Sequence, residues 1–118
     1  MGLESWVIVA VAAAAAVVVI RRLRGGGRVP STMVRQLIDS GAQVVDVRTP
    51  QEFGGGAYPG AVNIPLQELP RRIDEIRKGK PVVVYCASGG RSAMAAAMLK
   101  RAGYGEVVNA GGLSDMPR

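Results

Sequence analysis

The valine-rich runs of this chain do not alternate with polar residues. Val44, Val45 and Val47, and later Val82, Val83, Val84 and Tyr85, sit at consecutive or nearly consecutive positions. Successive side chains of a strand point to opposite faces, so a strand half exposed to water reads apolar, polar, apolar; an unbroken run needs cover on both faces. That condition is met inside a parallel sheet, and it obliges the chain to supply helices to both sides. The intervening segments have the helical period. Met33, Val34, Leu37 and Ile38 share one face of a helix expected over 31–40, with Ser31 as its cap and Gly41 as its stop. Thr49, Pro50 and Glu52 have the spacing of a capped helix start, cut short by Gly54, Gly55 and Gly56. A short strand over 61–64 follows, then a helix over 66–78 with Pro70 in or near its first turn. After the strand over 82–85 come a helix over 92–102, ended by Gly103, and a last short strand at Val107 and Val108 before Gly111 and Gly112. Strand–helix–strand order predicts parallel pairing through crossover helices. The expected fold is therefore α/β: one domain with an open parallel sheet of about five short strands and helices on both faces.

The chain has 118 residues, enough for one such domain and a short appendage. The appendage is at the front. Residues 6–20 read WVIVAVAAAAAVVVI without a polar interruption. As a helix this run spans roughly 22 Å. Leu3 and Leu23 lengthen it, Trp6 suits an interface, and Arg21 and Arg22 can snorkel outward. A cleaved secretory signal would need basic residues ahead of the run and a small-residue site behind it. Glu4 stands ahead, and Val17, Val18, Val19 and Ile20 stand behind the alanines. The expectation is a retained single-pass anchor and basic flank over 1–24, a glycine-rich linker over 25–29, and the folded domain over 30–118. A cleaved signal and a buried soluble helix are the alternatives. The arginines follow the run, which places the C-terminal domain on the cytoplasmic side of a cell membrane.

The charge balance says little about nucleic acid. The net charge is +6, yet from Val29 onward eleven Lys and Arg face eight Asp and Glu, a net of +3. Much of the excess is the cluster Arg21, Arg22, Arg24 and Arg28, with no basic stripe and interleaved aromatics behind it, so no nucleic-acid partner is expected. The chain has no histidine and one cysteine. Catalytic triads, Cys–His pairs, His-ligated metals, Cys-cluster zinc and intrachain disulfides are all excluded, and neither metal nor cofactor is expected. A lone thiol also suits a reducing compartment.

That cysteine lies in VVVYC-ASGG-RSAMAAAMLK. Cys86 ends a strand; Ala87, Ser88, Gly89 and Gly90 are all small; Arg91 and Ser92 open a helix. Ligands of open α/β sheets bind beyond the carboxyl ends of the strands. Small residues let successive N–H groups turn inward as an anion nest, and the following helix aims its positive end at the same place. A thiol there should titrate below a free one. Arg91 opposes the helix dipole, a cost that makes sense beside a bound anion. A cysteine at a strand end is ordinarily a small buried hydrophobe, a glycine pair a turn and an arginine a solvated charge. The joint pattern favours a nucleophile at Cys86 with a substrate cradle of Ala87, Ser88, Gly89, Gly90, Arg91 and Ser92. Asp46 and Arg48, at the end of another strand, read as structural support near the site.

This loop resembles that of the rhodanese (thiosulfate sulfurtransferase) family, and the likeness extends over 31–116. VVDVRTPQEF resembles the family's Asp-Val-Arg segment, YPGAVNIPLQEL its Pro-Gly-Ala-x-Asn-Ile-Pro segment, and VVNAGGLSDM its closing strand and Gly-Gly turn. Ala57-Tyr58 stands where many members carry His-Ile, and Met116 where many carry Trp. The resemblance implies a single five-stranded rhodanese domain. It also implies a sulfurtransferase in which Cys86 takes sulfane sulfur from a small anionic donor such as thiosulfate and yields it to a thiol or cyanide. Arg91 would hold the anion. Related phosphatases and arsenate reductases have a loop one residue longer between Cys and Arg. The alternatives are a membrane-tethered persulfide carrier served by protein donors and acceptors, a phosphatase or arsenate reductase, and a non-catalytic interaction module.

Overall fold

The computed structural model describes residues 27–118; the expected anchor over 1–24 and the first linker residues lie outside them. Among the described residues no helix is long and apolar enough to cross a membrane. Four strands form one parallel sheet: β1 (Gln43–Asp46), β2 (Val62–Asn63), β3 (Val82–Cys86) and β4 (Val107–Gly112), in the order β2-β1-β3-β4. Among the described residues the sheet has four strands rather than about five; beside β4 there is one further parallel bridge, Arg28 to Asn109, with the Val29 N–H donating to the Asn109 carbonyl at 2.9 Å. The bridge cannot lengthen forward because Pro30 takes the N-cap position of the first helix, with φ −61° and ψ 149°.

That helix, α1 (Ser31–Asp39), is capped differently from expectation. Ser31 makes no capping bond and is the first helical residue, because Pro30 already supplies the cap geometry and its carbonyl receives Met33 and Val34 N–H. Gly41 closes the helix as expected. Its φ of 100° lets Ala42 N–H return to the Leu37 carbonyl at 2.9 Å, a turn open to glycine at little cost. Helix α2 (Pro50–Gly54) bears out its capping box, with Thr49 Oγ1 accepting from Glu52 N–H and Glu52 Oε1 accepting from Thr49 N–H.

The continuous helix expected over 66–78 does not form. The segment is a 3-10 turn (Leu66–Glu68), one α-helical turn, α3 (Leu69–Arg72), and another 3-10 turn (Ile73–Glu75). Pro70 has no N–H to return to Leu66, and Arg72 leaves helical geometry at φ −114°. Tertiary contacts hold the broken segment instead. Leu69 and Ile76 are buried, and the Tyr104 hydroxyl lies 2.8 Å from the Ile73 carbonyl and 2.7 Å from that of Ile76.

Both faces of the sheet are covered, as the non-alternating strands require. On one side Val45, Val82 and Val84 pack with Leu69, Ile76 and Ala95, Ala96 and Leu99 of helix α4 (Gly90–Arg101). On the other, Val44, Val83, Tyr85 and Val108 pack with Val34 and the inner face of α1. The strand order reverses between β1 and β3: β2 lies outside β1, and the chain then returns to the far side of β1. The crevice beyond the carboxyl ends of β1 and β3 is therefore the topological switch point.

Candidate active site

Both strands flanking the switch point end in functional groups, Asp46 on β1 and Cys86 on β3. Cys86 is 1% exposed. Its Sγ accepts N–H bonds from Gly89 at 3.0 Å and Ser92 at 3.4 Å, and lies 3.3 Å from Ser92 Oγ. Burial pushes the thiol up, but hydrogen bonds from the Ser92 hydroxyl and from the Ser92, Ser88 and Gly89 N–H groups outweigh it, and the net shift is downward. The nest expected from the small residues is thus formed around sulfur. Gly89 and Ser92 supply direct donors, while the Ala87, Ser88 and Gly90 positions form its exposed rim.

Glycines set this geometry. Gly89 is the N-cap of α4 with φ 105°, so the helix starts earlier than expected and Ser92 lies fully buried in its first turn. A Cβ on Gly112 would collide with the Ala87 carbonyl oxygen and stand 2.9 Å from its carbonyl carbon, so the loop rests directly on the β4 backbone. The same strand carries a bulge: Val84 pairs with Asn109 and Cys86 with Gly112, two steps against three.

Arg91 reaches from the loop to helix α2. It makes a bidentate ion pair with Glu52, Nη1–Oε1 2.7 Å and Nη2–Oε2 3.1 Å, with both side chains about one-third exposed (36% and 34%). The anion beside this unfavourably placed arginine is a carboxylate of the chain itself. Arg91 and the Thr49 N–H and hydroxyl bonds hold the Glu52 carboxyl down at about 2. Glu52 therefore does more than cap α2; it couples α2 to the loop, a role its spacing to Thr49 concealed.

Asp46 and Arg48 form a buried ion pair at the end of β1. Asp46 is 0% exposed and binds Arg48 through Nε at 2.9 Å and Nη2 at 2.7 Å, while its Oδ1 also receives the Arg48 N–H at 2.8 Å. Arg48 Nη2 reaches the Gly56 carbonyl at 2.7 Å, and Asn63 Nδ2 donates to the Asp46 and Arg48 carbonyls at 3.0 Å each. The pair braces the end of β1 against the loop after α2.

One site residue escaped sequence reasoning altogether. Asn109, 3% exposed on β4, has its Oδ1 2.6 Å from Ser92 Oγ and accepts Gly111 N–H at 2.9 Å. Its signal was present: a polar residue within an otherwise apolar strand needs buried partners. Among the described residues no group of His, Cys, Asp or Glu could hold a metal ion.

Comparison with known proteins places this arrangement in a family. Residues 30–116 match the rhodanese-like domain. A sulfurtransferase of Allochromatium vinosum is 47% identical over 66 residues, 56% of this chain and 62% of that protein. The thiosulfate sulfurtransferase PspE of Escherichia coli is 42% identical over 74 residues, 61% of this chain and 71% of that one. The structure of the human single-domain sulfurtransferase TSTD1 superposes with a TM-score of 0.64 at 30% identity, covering 75% of this chain and 92% of that one. The match runs from the first residue of the α1 cap to the end of the described core and contains the whole Cys86 loop, and on that basis the chain belongs to the rhodanese-like domain family.

Proposed function

We propose that the protein transfers sulfane sulfur through a persulfide on Cys86. The observation that carries this reading is a buried thiol held by the Gly89 and Ser92 N–H groups, with its pKa lowered, in a chain with no histidine. Such a group is a nucleophile that needs no general base and a cradle for a sulfur anion. In the first step the thiolate attacks the outer sulfur of thiosulfate; the sulfur–sulfur bond breaks and sulfite leaves with its electron pair. In the second, cyanide or a thiolate acceptor attacks the outer sulfur of the persulfide and Cys86 departs as thiolate. The names of the relatives support the same chemistry.

The Arg91–Glu52 pair favours a second reading, a persulfide carrier served by partner proteins. An arginine already engaged by a carboxylate binds a free dianion less readily than an open one. The apolar run over 6–20 would tether the domain on the cytoplasmic side of a membrane, and tethering raises the effective concentration near membrane partners.

Incubation with thiosulfate and then cyanide, followed by thiocyanate assay and intact mass, tests both readings. A one-sulfur adduct on Cys86 with turnover is expected for the enzyme, and an adduct with little turnover for the carrier. Absence of any adduct, from thiosulfate or from a protein persulfide, would overturn both and leave phosphate esters and arsenate as substrates to try. On intact cells, a membrane-impermeant thiol reagent is expected to spare Cys86 until lysis; labelling beforehand would reject the cytoplasmic placement.

A further inference from the structure

The Ser92 hydroxyl has one hydrogen and two demanding neighbours. Cys86 Sγ lies 3.3 Å from its oxygen and Asn109 Oδ1 lies 2.6 Å away; the carbonyls of Gly89 and Gly111, at 3.2 and 3.3 Å, are longer contacts. The Asn109 amide cannot flip to change this. Its Oδ1 accepts Gly111 N–H at 2.9 Å and its Nδ2 donates to the Gly89 carbonyl at 3.3 Å, so a flipped amide would oppose donor to donor and acceptor to acceptor. Asn109 is thus a fixed acceptor, locked across the β4 bulge.

We propose that Asn109 is a positioning residue that acts through Ser92, whose hydroxyl hydrogen moves between Asn109 Oδ1 and Cys86 Sγ as the charge on sulfur changes. With a neutral thiol, S–H donates to Ser92 Oγ and Ser92 O–H donates to Asn109. When the thiol proton leaves to solvent, Ser92 O–H turns to the thiolate, and Asn109 Oδ1 keeps the Gly111 N–H. Once Sγ is bonded to a second sulfur, the negative charge sits on the outer atom, Sγ becomes a poor acceptor, and the hydroxyl returns to Asn109. A buried hydroxyl is costly without an acceptor, and Asn109 supplies one in each uncharged-Sγ state. The persulfide part of this cycle rests on the proposed sulfur transfer; the thiol–thiolate part does not.

Other charges face this end of the sheet without competing for the rotor. Arg91 on α4 is paired with Glu52 on α2, Asp46 with Arg48 at the end of β1, and Arg28 with Asp115 after β4. Tyr85 on β3 lies in the opposite core and accepts Tyr58 N–H at 2.9 Å.

The test is the pH dependence of iodoacetamide alkylation, unambiguous because the full chain has one cysteine, and it needs no sulfur transfer. In Asn109→Ala the hydroxyl loses its closest resting acceptor and keeps only the longer Gly89 and Gly111 carbonyl contacts, so the neutral-thiol state is weakened and the alkylation midpoint should fall by about half a unit or more. A residue that merely supported the loop would, on removal, loosen the N–H nest, and the midpoint would rise toward that of an ordinary thiol. An unchanged or raised midpoint overturns the proposal. In a Ser92→Ala background the same substitution should move nothing; an equal shift there also overturns it. Should Asn109→Ala fail to fold, Asn109→Asp retains the Ser92 and Gly111 acceptor. Its midpoint should rise, and rise less in the Ser92→Ala background; equal rises in the two backgrounds reject a role through Ser92.

Discussion

Arg91 and Glu52 are joined by two hydrogen bonds, 2.7 and 3.1 Å, across the mouth of the cysteine loop. Glu52 is itself anchored by the Thr49 N–H and hydroxyl, each at 3.1 Å. The arginine that would receive an anionic sulfur donor is thus presented by a helix cap on a different element. Glu52→Gln keeps the cap, since glutamine serves in a capping box, but releases the full arginine charge. Thiosulfate should then bind more tightly, with KM lowered several-fold, and Arg91→Ala should raise it. Steady-state kinetics with thiosulfate and cyanide check this; identical KM values in the two variants and the parent would remove Arg91 from donor binding.

The same pair sets an acid limit on stability. The Glu52 carboxyl titrates at about 2 in the folded chain against 4.5 for the unperturbed group. Because the folded value is the lower one, the stability it contributes is complete above 4.5 and is lost as pH falls through the folded value. The Glu75 carboxyl, lowered by Arg72, adds in the same direction. Urea unfolding between pH 5 and about 2 should show a falling midpoint that is shallower in Glu52→Gln. Equal slopes would mean that solvent screens the exposed pair in full.

Gly90 and Gly112 flank the same loop and predict opposite tolerance. A Cβ on Gly90 meets nothing within 4 Å, whereas one on Gly112 collides with the Ala87 carbonyl. Gly90→Ala should therefore leave sulfur transfer and stability near the parent. Gly112→Ala must push the loop away from β4 and should cost about 2 kcal/mol or more while spoiling the N–H nest. Thermal melts and cyanide-linked turnover on both variants separate the two outcomes, and a tolerated Gly112→Ala would show that the loop can move without loss.

The frame of this site was legible because its determinants are local. Val82–Cys86 followed by four small residues and a helix has one economical folding, and the Thr49–Glu52 cap was readable from spacing alone. What sequence reasoning missed is non-local. Glu52 meets Arg91 across 39 positions and Asn109 meets Ser92 across 17, contacts that no periodicity encodes. The break in the 66–78 segment is an intermediate case. Pro70 gave warning of it, but tertiary packing of Leu69 and Ile76, and the Tyr104 hydroxyl, decided where the helix yields.

The Asp46–Arg48 pair offers a stability test independent of sulfur chemistry. Asp46 is fully buried, Arg48 nearly so, and the guanidinium also lies 5.7 Å from the Tyr85 ring centroid. Two desolvated charges in contact add little net stability over an apolar pair, yet removing one strands the other. Asp46→Asn should cost about 3 kcal/mol, because it leaves the Arg48 charge buried against a neutral amide. The double variant Asp46→Leu with Arg48→Met removes both charges at once and should recover part of that loss, although the Gly56 carbonyl then loses its donor. Urea midpoints of the parent, the single and the double variants decide it. A double variant as unstable as the single would assign the cost to lost geometry at the end of β1 rather than to an uncompensated charge.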